Sequence, residues 1–151
     1  MRLFWLTASL IFFLDRITKY FILKASFLEI KVLPFLRIVK LWNKGIAFGM
    51  FANVENYGTL ILGILNILIL GITYLWARKI SFQERKNSIF LVALGLIFGG
   101  GLGNLIDRIL FGKVLDFIDL HIGSFHWPAF NIADLAVTIS LFLIFFKSFK
   151  S

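Results

Sequence analysis

Apolar residues gather in four stretches of helical length, roughly 3–23, 58–77, 88–110 and 131–147, with polar and turn-forming residues between them. A helix needs about 20 mostly apolar residues to cross a bilayer, so each stretch predicts a spanning helix. The first follows only Arg2 and lacks a small-x-small cleavage pattern, so it reads as a retained anchor and not a removed signal peptide. Residues 24–57 have another pattern. Glu29–Leu33 and Arg37–Trp42 are rich in β-branched and aromatic residues on either side of Pro34, which predicts two short strands. The glycine-punctuated run Asn43-Lys-Gly45-Ile-Ala47-Phe48-Gly49 follows, and Ala52–Tyr57 reads as a short interfacial helix. The predicted fold is an all-α membrane protein: four transmembrane helices and a small extracytoplasmic β-sheet between helices one and two, as one domain over 1–151.

Composition sharpens this picture. The chain is 60% hydrophobic and 16% charged, against about a quarter charged in a soluble domain. The formal charge of +8, from 16 Lys and Arg against 8 Asp and Glu, is spread along the flanks of the apolar runs. That fits anionic lipid head groups and argues against nucleic acid. The absence of cysteine excludes disulfides, thiolate metal sites and cysteine nucleophiles.

Charge also sets orientation. Arg78, Lys79, Arg85 and Lys86 lie between the second and third stretches, on the same side as both termini with Arg2, Lys147 and Lys150. The positive-inside rule puts that side in the cytoplasm. So threaded, Asp15, Asp107 and Asp134 come from three helices to one outer level. Ionisable side chains at such depth mark function or pair with one another.

Asn104-x-x-Asp107 ends the third stretch and Asn131-x-x-Asp134 opens the fourth. Residues three apart share a helix face, so each amide can lie beside its carboxylate. Two such carboxylates suit acid–base activation of water, because close acids tend to share a proton. The second motif also fits a helix-capping box, whereas Asp107 at a helix C-terminus opposes the macrodipole and needs compensation, as from Arg108. Helix polarity assigns Asp134 as the resting base and Asp107 as the acid. Asp15 with Arg16 and Lys19 reads as an ion cluster at a helix end. Asp116 and Asp119 fall in what reads as a solvated connecting loop. His121 and His126 have no metal-site spacing, and the glycines from Gly99 to Gly103 read as allowing close helix approach.

Together these motifs resemble one family, the bacterial lipoprotein signal peptidases (type II signal peptidases). The matching runs are Asp15-Arg-Ile-Thr18-Lys19, Asn43-Lys-Gly45-Ile-Ala47-Phe48-Gly49, Gly99-Gly100 through Asn104-Leu-Ile-Asp107-Arg108, Val114-Leu-Asp116-Phe117-Ile-Asp119, and Trp127-Pro-Ala-Phe130-Asn131-Ile-Ala133-Asp134. The resemblance implies an aspartyl endopeptidase of the bacterial cytoplasmic membrane that cuts diacylglyceryl-modified prolipoproteins just before the lipidated cysteine, acting as a monomer without metal or cofactor. It implies Asp107 and Asp134 as the catalytic pair, and Asn43, Gly45, Asn104, Arg108, Asn131 and Ala133 as substrate-binding or site-shaping residues. Asp15 and Lys19 would give structural support. Gly101 stands where that family more often has alanine. Residues 43–57, with Phe48, Met50 and Phe51, read equally as a flap over substrate or as a simple turn. A small transporter or proton channel is the rival reading, but it would spread acids across the bilayer depth, and here they cluster at one level.

Overall fold

The computed structural model describes residues 1–45, 58–82 and 88–149. Its four helices are α1 (Arg2–Lys24), α2 (Gly58–Phe82), α3 (Ser88–Phe111) and α4 (Ile132–Ser148), so each apolar stretch is helical within a few residues of its predicted bounds. Among the described residues, α2 and α3 are long and apolar enough to cross a membrane by length and composition. The expected interfacial helix over Ala52–Tyr57 and the flap residues Ala47, Phe48, Gly49, Met50 and Phe51 lie outside the described residues.

Helix α3 is the hub, packing against α1, α2 and α4. Its glycines explain how closely. A Cβ on Gly99 would lie 2.3 Å from the Ala8 carbonyl oxygen of α1, and one on Gly103 would lie 2.5 Å from Asp15 Oδ2. On the neighbouring face, a Cβ on Gly100 would come within 2.6 Å of the Ala133 carbonyl oxygen of α4. Backbone contact of this kind is what holds apolar helices together where lipid offers no hydrophobic incentive. Gly101 faces α2, where Asn66 Nδ2 donates to its carbonyl at 3.0 Å. At one end of the bundle Phe4, Ala77, Ile80 and Leu94 form a buried cluster.

The sheet departs from expectation. Strands β1 (Glu29–Leu33) and β2 (Leu36–Asn43) form the predicted hairpin, but β3 (Val114–Ile122) and β4 (Phe125–His126) join them in the order β1-β2-β3-β4, all antiparallel. The sheet is therefore not confined to the connection between helices one and two, and Asp116 and Asp119 sit on a strand and not in a solvated loop. Helix α3 ends at Gly112, whose φ of 66° stops it in the left-handed conformation that glycine adopts freely. The chain then turns at once into β3, whose register with β2 pairs Asn43 with Val114, Leu41 with Asp116 and Arg37 with Asp119. Phe130, just before α4, exchanges backbone hydrogen bonds with Ile118 (2.8 and 3.0 Å). Sheet, α3 and α4 are thereby tied at one level, where the polar residues collect.

Candidate active site

Helix α4 starts with a complete capping box. Asp134 N–H donates to Asn131 Oδ1 at 3.0 Å, and Asn131 N–H donates to Asp134 Oδ2 at 3.2 Å. Asn131 does more than cap: its Nδ2 donates to Asp116 Oδ1 at 2.8 Å and to Asn104 Oδ1 at 3.1 Å. Asn104 in turn donates from Nδ2 to Asp134 Oδ1 at 2.8 Å. On the strand side, Asn43 Nδ2 donates to Asp116 Oδ2 at 3.0 Å, while Asn43 Oδ1 accepts the Gly45 N–H at 2.9 Å. Three asparagines from β2, α3 and the α4 cap thus hold two aspartates, Asp116 and Asp134.

These two aspartates, with Asn43, Asn104 and Arg108, line a cleft of about 540 Å³ whose far wall includes Trp127 and Phe130. Burial, and then the charge of Asp134, pushes the Asp116 carboxyl up to about 7, against the pull of the Asn43 and Asn131 amides and of Lys19. Arg108 Nη1 donates to the Asn104 carbonyl at 3.3 Å, and the guanidinium forms no ion pair among the described residues.

Asp107 lies elsewhere. Its side chain is 1% exposed and pairs with Arg16 through Oδ1 and with Lys19 through Oδ2 at 2.8 Å; Oδ2 also accepts the Leu115 N–H at 3.2 Å. It does not line the cleft. Lys19 is fully buried and also contacts Asp15 Oδ2 at 2.9 Å, while Asp15 Oδ1 accepts the Ala133 N–H at 3.2 Å. Asp15, Arg16, Lys19 and Asp107 therefore form a charge-balanced cluster between α1 and α3, behind the cleft. The acid that lines the cleft with Asp134, and that the Asn131 side chain holds, is Asp116 and not the expected Asp107. The compensation that Asp107 needs at its helix end comes from α1, not from its neighbour Arg108.

Of the other predicted residues, Asn43, Gly45, Asn104, Arg108 and Asn131 all reach the cleft or its hydrogen-bond network, and Ala133 acts through its backbone. Asp116 is the residue that the reading of the sequence undervalued. The signal was present in Val114-Leu-Asp116-Phe117-Ile-Asp119, whose branched and aromatic residues favour a strand. Acids three apart on a strand face opposite ways. Asp119 goes to Arg37 (Nη2–Oδ2 2.6 Å) and His126 (Nδ1–Oδ1 3.0 Å). Burial opposes its ionisation, but those hydrogen bonds and charges outweigh it and hold its carboxyl below the usual range. Asp119 is a saturated ion-pair partner in the sheet; Asp116 is the acid turned to the cleft.

Comparison with known proteins agrees with the motifs. The family profile described as signal peptidase (SPase) II matches residues 7–150. The chain is 44% identical over 127 residues to the lipoprotein signal peptidase of Anaplasma phagocytophilum, covering 83% of this chain and 78% of that one. To that of Aquifex aeolicus it is 41% identical over 149 residues, covering 96% and 86%. Two solved structures, each a bacterial membrane enzyme obtained by the in meso method, superpose with a TM-score of 0.78. They are 34% and 32% identical, over 96% and 97% of this chain and 86% and 92% of theirs.

Proposed function

Because the chain belongs to the signal peptidase II family, a protease family that removes signal peptides from prolipoproteins, we propose that Asp116 and Asp134 are its catalytic pair. The observation that carries this reading is their common cleft, with Asn131 donating to both carboxylates, from Nδ2 to Asp116 and from its backbone N–H to Asp134. The proposed substrate is a prolipoprotein with a diacylglyceryl-modified cysteine. Acyl chains left in the bilayer hold the scissile bond at the membrane surface, and the pair sits at the level where α3 ends, α4 begins and the sheet crosses them.

The chemistry follows from the environment of each acid. Asp134 lies in the first turn of α4 and accepts hydrogen bonds from Asn104 Nδ2 and the Asn131 N–H, and it is assigned the base role. Asp116, pushed up to about 7, holds the proton that the pair shares at neutral pH. Asp134 takes a proton from water as the oxygen attacks the scissile carbonyl. Asp116 gives its proton to the departing cysteine nitrogen as the C–N bond breaks, leaving an amine on the lipoprotein and a carboxylic acid on the signal peptide that ionises in water. Arg108, without an ion-pair partner among the described residues, is placed to hold a substrate carbonyl. Asp107, Asp15 and Lys19 support the frame.

The pH dependence has a definite sign. The acid form of Asp116 is depleted as pH rises through about 7, so cleavage by wild type is expected to fall on that side, read as kcat/KM against pH. A profile flat from pH 6 to about 9 would remove Asp116 from the acid role.

All four helices are read as spans, with both termini cytoplasmic and the cleft near the outer face of the bacterial cytoplasmic membrane, in one catalytic unit working as a monomer. The sheet is read as lying on that outer face. Its hairpin tips support this with Ile122 82% and Phe125 66% exposed, beside the exposed Leu33 and Phe35. The test is a gel-shift cleavage assay with purified protein on a diacylated prolipoprotein and on the same precursor without lipid. Cleavage of the lipidated form alone is expected; equal cleavage of both would sink the lipid-anchored reading of the substrate.

A further inference from the structure

Lys19 has more to do than neutralise acids. Its ammonium is completely buried on α1, in ion-pair contact with Asp15 Oδ2 at 2.9 Å and Asp107 Oδ2 at 2.8 Å. Lys19 Nζ also donates to Asn104 Oδ1 at 3.0 Å. That same oxygen accepts Asn131 Nδ2 at 3.1 Å, which leaves the Asn104 amino group to donate to Asp134 Oδ1 at 2.8 Å. Turned end over end, the Asn104 amide would point its amino group at an ammonium and another amino group, and its oxygen at a carboxylate. All three hydrogen bonds would become repulsive contacts. The bond from Lys19 is the charged one, and such bonds are about twice as strong as neutral ones.

Resting on the Asp116–Asp134 reading, we infer that Lys19 is a positioning residue for the reaction, acting through the Asn104 amide to keep a hydrogen-bond donor on Asp134. The contact runs from α1 through α3 to α4, although Lys19 does not line the cleft. A donor on a carboxylate favours its ionised form, the form that takes a proton from water. The charged groups that act with Asp134 are Lys19 on α1, Arg108 on α3 and Asp116 on β3, while Asp15, Arg16 and Asp107 form the ion cluster around Lys19. Arg16 is already engaged by Asp107, which leaves Lys19 to orient the amide. Without Lys19 the amide turns more freely, Asp134 loses its donor part of the time, and the acidic side of the pH–rate profile moves to higher pH.

Lys19→Met alone would strand the buried Asp15, so the test uses Lys19→Met/Asp15→Asn, which removes one charge of each sign and keeps the Arg16–Asp107 pair. The measurement is kcat and KM against pH on diacylated prolipoprotein, with thermal unfolding in detergent to establish folding. The expected result is a kcat lower by roughly ten- to a hundredfold with KM little changed, and an acidic limb displaced upward by about one pH unit. Lys19→Gln/Asp15→Asn, which retains a neutral donor and is the variant to read if the Met protein does not fold, should fall between it and wild type. A folded variant of either kind with the wild-type kcat and acidic limb would overturn the inference and leave Lys19 a counterion only. Wild-type cleavage by Asp116→Asn or Asp134→Asn would instead overturn the catalytic pair beneath it, so the two failures are separable.

Discussion

Asp116→Asn and Asp134→Asn are each expected to lower cleavage of a diacylated prolipoprotein by roughly 10³- to 10⁴-fold while the protein stays folded. Asparagine is the informative replacement because it preserves shape and much of the hydrogen bonding. At position 116 the side-chain oxygen still accepts from one of Asn43 and Asn131, while the other donor loses its acceptor and turns away from the new amino group. That loss costs about 1–3 kcal/mol, too little to unfold a bundle whose helices meet backbone to backbone. At position 134 the oxygen retains a place in the capping box. What each variant cannot do is exchange a proton with water or the leaving nitrogen. Because the two acids act as a unit, the double variant should be hardly slower than either single one. Gel-shift rates beside thermal unfolding curves separate chemistry from folding. If Asp116→Asn cleaved at the wild-type rate while Asp107→Asn did not, the pair would be Asp107 with Asp134 after all.

Asp107→Ala should fail for a different reason. Removing that carboxylate takes the counterion from Arg16, one of two from the fully buried Lys19, and the acceptor from the Leu115 N–H where the chain passes from α3 into β3. Breaking a buried ion pair from one side typically costs 3–5 kcal/mol, because an uncompensated charge stays behind (roughly this figure is expected here). That is a large part of the margin by which most domains are folded. The expected outcome is a marked fall in melting temperature and in the yield of monodisperse protein, with cleavage lost in proportion to the folded fraction. An Asp107→Ala protein with wild-type melting behaviour but no cleavage would instead place Asp107 in the chemistry.

These two results differ because two acids of one helix-and-strand connection, nine positions apart, have opposite surroundings. Linear spacing did not distinguish them. Asn104-x-x-Asp107 and Asn131-x-x-Asp134 look like matching halves of a site, and helix periodicity correctly puts each amide near its own carboxylate. Periodicity says nothing about which side of α3 faces α1 and which faces the cleft. The glycines decide that. With Gly99 and Gly103 against α1, Asp107 is turned to Arg16 and Lys19, and Asn104 is left between Lys19 and Asp134.

The sequence by itself determined the four helices, the β1–β2 hairpin, the capping box at Asn131, the family and one of the two proposed acids. Each is written in local order: apolar runs of helical length, alternation about Pro34, an amide three residues before a carboxylate, motifs in a set succession. Only the tertiary structure decided that residues 114–122 pair with β2, and that Asp116, and not Asp107, lines the cleft with Asp134. It also decided that a buried lysine from α1 reaches the Asn104 amide. Those contacts join residues from 15 to 85 positions apart. They follow from the depth at which helices dock and the register at which strands pair, and no short stretch of this chain encodes either.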